Sequence, residues 1–280
     1  MALDQVPLHE QPEFDDVGPL GIGDRVLMWI LAPFMIAYGY IGLPFQIRRN
    51  ALAPRVIPWV PMTAEHNGTL SPSMLRHLDS SEHALRALGF QDPVRYIDVS
   101  KMPTIACLSF MPSAAGEDLC TIICGHTPRR LSVTGASFAT RFSDGFLVST
   151  TNETMAGSPS MLPNHDAVAF EQIGDPAALW ALHRRRKERA AGEGRRAVTV
   201  GSAPSAVPPL QFAQRITDEL IEHGIRHGRV VAPATDEVRL TLKGAAFAAW
   251  RTQWPLRWIN QWRFRRQAAR AMRAIDHPNA

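Results

Sequence analysis

The segment GASFATRFSDGFLVSTTN, residues 135–152, decides the fold that the sequence predicts. Large side chains recur at every second position, with Phe138 and Phe142 in the first half and Phe146 and Val148 in the second. Alternation of period two is typical of a strand that buries one face. The short Asp-Gly turn between the two halves is a strong local signal for a β-hairpin. We therefore predict a hairpin here and interpret the neighbouring chain outward from it.

Four more short apolar runs lie on either side of the hairpin and predict further strands: residues 94–99, 104–110, 119–124 and 167–170. Successive strands with short turns favour antiparallel pairing. Asp79 and Glu82 predict the start of a short helix that Gly89 ends, and Asp175-Pro176 predicts a helix that continues to Ala191. The predicted fold class is α+β, with an antiparallel sheet flanked by helices.

The longest uncharged stretch is VLMWILAPFMIAYGYIGLPF, residues 26–45. Twenty helical residues rise about 30 Å, which is the thickness of the hydrocarbon core of a bilayer. We predict a transmembrane helix over residues 25–47, preceded by a flexible acidic tail over residues 1–24. A buried core helix and a helix lying in one leaflet are the alternatives. Three arginines follow the stretch, and the positive-inside rule then predicts a single-pass protein of the cell membrane with its main domain in the cytoplasm.

The C-terminal segment, residues 250–280, combines tryptophan with arginine and predicts an amphipathic helix at a membrane interface. The residues that carry this prediction are Trp250, Trp254, Trp258, Trp262, Arg263, Arg265 and Arg266. A spacing of four places the four indole rings along one side of a helix. Tryptophan rings settle at headgroup depth and guanidinium groups meet anionic lipid. The alternative is that the tryptophan stripe packs on the sheet domain.

Between these membrane elements we predict an α+β domain over residues 48–200 and a helix-hairpin-helix module over residues 201–249. A Gly, Ser, Ala and Pro-rich linker over residues 201–209 separates the two. The run R-L-T-x-K-G at residues 239–244 follows a short strand and precedes a helix. Over residues 229–250 this order resembles the wing of winged-helix proteins, which implies a nucleic-acid contact as one possible role.

Four motifs follow one another in order: L-x-x-L-G-F at 85–90, F-x-D-G-x-x-x-x-T-T-N at 142–152, L-W-x-x-H-R at 179–184 and R-L-T-x-K-G-A at 239–245. With the apolar stretch before them, they resemble a broad group of uncharacterised bacterial membrane-anchored proteins. The resemblance implies the same architecture over most of the chain. It implies no activity.

Charge and cysteine content limit the partners and the compartment. The formal net charge is only +4, but acidic residues precede the apolar stretch and basic clusters dominate the last hundred residues. This asymmetry indicates an anionic partner, with membrane lipid favoured over nucleic acid. The three cysteines, Cys107, Cys120 and Cys124, are too few for a disulfide scaffold and indicate buried free thiols.

No established catalytic, metal or cofactor motif occurs in the chain, so the sequence predicts neither a metal nor a cofactor. His223 and His227 are one turn apart but lack the glutamate of a zinc protease motif. In an antiparallel meander, His126 ends a strand at the sheet edge where Asn152 and Glu153 follow the hairpin. We therefore expect a membrane-anchored binding or scaffolding protein. A membrane-tethered nucleic-acid binder and an enzyme with a site near His126, Asn152 and Glu153 are the alternatives.

Overall fold

The computed structural model describes residues 44, 48, 52–54, 59–68, 70–98, 105–126, 133–153, 162–201, 206–234, 237–252 and 256–276. Within these ranges the chain forms two β-sheets and five α-helices. The α+β class predicted from the sequence is confirmed.

The larger sheet has seven strands in the order β2 to β8, each beside its neighbour in sequence. Their bounds are β2 Val60–Pro61, β3 Val94–Asp98, β4 Ile105–Pro112, β5 Leu119–His126, β6 Val133–Arg141, β7 Leu147–Thr151 and β8 His165–Ala169. The predicted hairpin is β6 and β7, with Phe138 opposite Thr150. All neighbours are antiparallel except β7 and β8, which run parallel. The prediction of a wholly antiparallel sheet is wrong at this one edge, where β8 lies parallel to β7.

Three helices cover the first face of this sheet: α1 Pro72–Ala87, α2 Pro176–Ala191 and α5 Leu256–Asp276. The core between them and the sheet contains Leu78, Phe138, Leu179 and Ala268. All three cysteines are free and buried, as predicted. This face is therefore a conventional apolar core.

The starts of α1 and α2 show which capping predictions succeed. The side chain of Asp175 accepts hydrogen bonds from the amides of Ala177 and Ala178, so α2 begins where the sequence predicts. The N-cap of α1 is Ser71, eight residues before the predicted cap, and its hydroxyl accepts a hydrogen bond from the Met74 amide. Asp79 and Glu82 therefore lie inside α1. There they pair with Arg95 of β3, at 2.6 and 2.7 Å, and join the helix to the sheet.

A buried polar network also joins α2 to the sheet. His183 is fully buried, and its two ring nitrogens lie 2.9 Å from the Thr140 hydroxyl and 3.0 Å from the Thr150 hydroxyl. The Thr140 hydroxyl also donates to Asp118 at 2.5 Å, and Arg186 donates to the Thr150 hydroxyl at 2.6 Å. Both ring nitrogens of His183 thus have partners, which is the condition for burying a polar side chain at low cost.

The smaller sheet has three strands in the order β1–β10–β9, with β1 Leu52–Pro54, β9 Val230–Val231 and β10 Glu237–Leu240. The β9–β10 hairpin and the helix after it, α4 Leu242–Thr252, agree with the predicted hairpin-helix order. Strand β1 is not among the strands predicted from the sequence. It pairs with β10, with Leu52 opposite Arg239, so the hairpin is joined to the start of the domain.

Helix α3, Pro209–Arg226, lies on the second face of the large sheet. Phe212 of α3 is buried in a cluster with Phe110, Leu119 and Leu147 of that face. The predicted helix-hairpin-helix module is therefore packed on the α+β domain through its first helix. The C-terminal segment also differs from prediction, because Trp250 lies in α4 and α5 begins only at Leu256.

The predicted transmembrane helix lies outside the described residues except for residue 44. Across the ranges that the structure describes, no helix combines the length and apolar character that crossing a membrane requires.

Candidate functional site: a cavity beneath helix α3

A cavity of about 360 Å³ lies between α3 and the second face of the large sheet. Its apolar lining includes Phe110, Leu119 and Ile123 from the sheet and Ala213 and Ile216 from α3. Hydroxyl, carboxyl, imidazole and amide groups interrupt this lining at Thr121, Ser137, Ser149, Thr151, Glu153, His165, Gln214 and Thr217. The volume and the mixture of an apolar wall with a few polar groups are typical of small-molecule sites.

Strand alternation explains which residues line the cavity. On β7 and its extension, Leu147, Ser149, Thr151 and Glu153 all line it, and the intervening Thr150 is buried in the polar network on the other face. Successive side chains of a strand point to opposite faces of the sheet. The same hairpin that builds the core therefore supplies one wall of the cavity.

Ser149 and His165 form the closest polar pair in this wall. The Ser149 hydroxyl lies 2.7 Å from Nε2 of His165, because the parallel register places His165 opposite Leu147, two residues from Ser149. Burial lowers the pKa of His165 to about 4, so the imidazole is neutral at pH 7. The buried Nδ1 atom of the same ring has no hydrogen-bond partner.

Glu153 supplies the carboxyl group of the cavity. Burial raises its pKa, and the buried Oε1 atom has no hydrogen-bond partner. The side chain lies across Gly135, where an added Cβ would stand 2.2 Å from the Glu153 Cγ atom. Glycine at position 135 is therefore what allows the carboxyl group to occupy this place.

This arrangement suits binding better than nucleophilic catalysis. A serine nucleophile needs a histidine base that a third group orients. Among the described residues, no group forms a hydrogen bond with Nδ1 of His165, and a pKa of about 4 makes the imidazole a weak base at neutral pH. No protein-family model matches this chain. No curated protein and no solved structure matches it either. The site must therefore be interpreted from its own chemistry.

The predicted site at the edge of the sheet is only partly assembled. Strands β5 and β7 run in the same direction, so the backbone of His126 and that of Asn152 and Glu153 lie toward one edge, as expected. The side chain of His126 lies outside the described part of the structure. Asn152 accepts from the Ala136 amide at 2.7 Å and donates to the Ile173 carbonyl at 3.1 Å, which is a structural role. Of the two predicted residues whose side chains the structure describes, Glu153 lines the cavity and Asn152 does not.

The predicted membrane-interface residues fall into two groups. Trp258 and Trp262 are 65% and 47% exposed on α5, and Arg263, Arg265 and Arg266 are exposed beside them. These two tryptophans do not form the packing face of the helix. The side chain of Trp250 and the whole of Trp254 lie outside what the structure describes.

The two histidines of α3, His223 and His227, have ring centroids 4.2 Å apart. Within the described ranges, no group of three or more His, Cys, Asp or Glu side chains is arranged to hold a metal ion.

Sequence reasoning missed His165 and the role of α3 as a lid over the sheet. His165 follows residues 153–164, a stretch that contains two prolines, and nothing in its local sequence distinguishes it from a loop histidine. The available signal was the polar alternation of Ser149, Thr151 and Glu153, which indicates a strand face that is not filled by core side chains.

Proposed function

We propose that this protein binds a small, largely apolar molecule in the cavity beneath α3. The observation that carries the proposal is an apolar cavity whose wall includes Glu153 and His165, each with a buried atom that lacks a hydrogen-bond partner. Unpaired buried polar atoms cost free energy, and native structures keep few of them. A ligand with a hydrogen-bonding group, or a small rotation of these side chains around it, provides the missing partner.

The chemistry of the wall also defines the class of ligand. His165 is neutral at pH 7 and most of the wall is apolar, so the cavity favours a largely uncharged ligand. The phenylalanine and aliphatic side chains of the wall favour a hydrocarbon or an aromatic body.

Binding of an environment-sensitive apolar fluorophore tests this proposal. We expect the full chain to enhance the emission of N-phenylnaphthylamine. The substitution Ala213→Leu, which narrows the cavity, should weaken the enhancement. Ala178→Leu places the same side chain at an exposed position of α2 and is the matched control. Equal binding by both variants would show that the fluorophore does not occupy this cavity.

We also propose that residues 25–47 anchor the chain in a membrane with the main domain in the cytoplasm. The support is the uncharged stretch of residues 26–45 and the arginines that follow it. Alkaline carbonate extraction of the full chain and of a variant that lacks residues 1–47 tests the anchor. Release of the full chain by carbonate would contradict it.

A further inference from the structure

Helix α5 has one face against the domain and another in solvent. Ala268, Ala271 and Met272 pack into the core, and Gln267 donates to the Ala167 carbonyl of β8 at 3.0 Å. Positions 258, 262, 265, 269 and 273 follow one another at spacings of three and four and share a different side of the helix. All five are exposed. One side of α5 therefore packs on the domain, and the other side faces solvent.

The presented side combines large apolar rings with positive charge. Helix α5 contains six arginines and a single acidic residue, Asp276 at its end. The Arg266 guanidinium lies 4.4 Å from the centre of the Trp262 ring, a cation–π contact that keeps the ring flat against a charged group. Two half-exposed indole rings in water are unusual for a soluble surface, where burying apolar area is favourable.

The small sheet joins the chain that follows the N-terminal apolar stretch to the strand that precedes the C-terminal helices. Strand β1 begins seven residues after Phe45. Because an extended chain covers at most about 3.6 Å per residue, these two positions are at most ~25 Å apart. Strand β1 pairs with β10, and β10 leads through Thr241 directly into α4 and then α5. The Arg239 side chain also donates to the Arg48 carbonyl at 3.3 Å. The start of the domain and the C-terminal helices are thus joined at one place.

We propose that the exposed side of α5, defined by Trp258, Trp262, Arg265, Arg266 and Arg273, lies on the surface of an anionic lipid bilayer. The match is one of charge and of amphipathic rings: guanidinium groups meet anionic headgroups, and indole rings enter the interface. The β1–β10 pairing joins the strand before α4 and α5 to the chain segment that follows the apolar stretch. The proposal is independent of the cavity ligand, because α5 packs on the other face of the sheet.

A fluorophore on α5 in the full chain tests the proposal. Ala269→Cys labelled with nitrobenzoxadiazole reports the polarity at the exposed side, and the native cysteines are buried. With vesicles of phosphatidylcholine and phosphatidylserine we expect a blue shift and quenching by brominated lipid. With phosphatidylcholine alone, or at high salt, we expect both signals to be lost. Ser80→Cys on α1 carries the control label and should not respond.

Two further variants separate the contributions of rings and charges. In the labelled chain, Trp258→Ser with Trp262→Ser should remove the shift, and Arg265→Gln with Arg266→Gln should raise the phosphatidylserine fraction needed for it. Arg76→Gln with Arg86→Gln, two exposed arginines of α1, is the matched charge control. Circular dichroism checks that each variant is folded. An unshifted label in phosphatidylserine vesicles, or equal responses from both labelled positions, would overturn the proposal.

Discussion

At the residue scale, the side chains that join α2 to the sheet matter most for stability. Asp118 is 3% exposed and bonds to both Lys187 and Thr140, at 2.9 and 2.5 Å. Burial alone would raise its pKa, but the interactions with His183, Lys187 and Thr140 outweigh burial and lower the pKa to about 2. The carboxylate is therefore more acidic in the folded chain than in the unfolded chain, where the pKa is 3.8.

Asp118 should make the stability of the protein depend on pH in the acid range. A lowered pKa contributes stability that is complete above the unfolded pKa and is lost as the pH falls through the folded one, here from pH 3.8 to about 2. We expect Asp118→Asn to flatten the change in unfolding free energy over this interval, as measured by urea titration. Glu171→Gln removes an exposed carboxyl and is the control. An unchanged slope in Asp118→Asn would contradict the assignment.

The second prediction at this scale concerns Gly135. In Gly135→Ala the new Cβ stands 2.2 Å from the Glu153 Cγ atom, so Glu153 must leave its place. We expect a loss of stability of about 1–3 kcal/mol in thermal unfolding and weaker binding of the apolar fluorophore. Gly174→Ala, where nothing lies within 4 Å, is the matched control. Adding Glu153→Ala should restore the stability, and failure to do so would show that another contact is responsible.

At the scale of elements, local signals set the starts of helices and the alternation of strands. Asp175 accepts hydrogen bonds from two amides at the start of α2, at 3.0 and 3.2 Å. Because α2 carries His183 and Arg186 into the buried network, its start positions that network on the sheet. The Asp175 cap therefore also affects the position of the buried network, about two turns further along α2.

Removal of this cap should destabilise the whole domain. We expect Asp175→Ala to lower the free energy of unfolding by about 1 kcal/mol, because two amides lose their acceptor. Glu188→Ala removes an exposed carboxylate from the last turns of the same helix and is the control. Denaturant titration measures the free energy of unfolding of both variants. An equal effect of the two substitutions would mean that net charge, not capping, is involved.

The same scale shows how much of the fold the sequence predicts. Strands β3 to β7 and helix α2 follow from alternation and capping, which depend on neighbouring residues. The parallel pairing of β8, the addition of β1 to β10 and the placement of α3 depend on partners far away in the chain, and no local pattern encodes them. The cavity was missed for this reason, since Ser149 meets His165 only through the parallel β7–β8 register.

At the scale of the whole molecule, the large sheet separates two environments. Its first face is filled by α1, α2 and α5, and its second face is covered by α3 above an apolar cavity. Strand alternation divides β7 between them, with Thr150 on one side and Ser149 on the other. The sheet thus forms one wall of both the apolar core and the cavity.

Ligand binding should therefore stabilise one side of the molecule more than the other. With a saturating apolar ligand we expect slower hydrogen exchange of the backbone amides in α3, because the ligand fills the space between α3 and the sheet. Amides of α1, on the opposite face, serve as the internal control and should change little. Mass spectrometry of peptic fragments measures both helices in one experiment. Equal protection of α1 and α3 would place the ligand elsewhere.

The pairing of β1 with β10 also has a consequence for how the chain folds. Arg48 and Arg239, which this pairing brings together, are 191 positions apart in the sequence. Closing so long a loop lowers the conformational entropy of the chain, and the few hydrogen bonds of a three-stranded sheet offset this loss only when the sheet is complete. Strands β3 to β7 instead pair with neighbours in sequence, so their loops are short. We therefore expect the meander to form early in folding, and the β1–β10 contact to form last and open first.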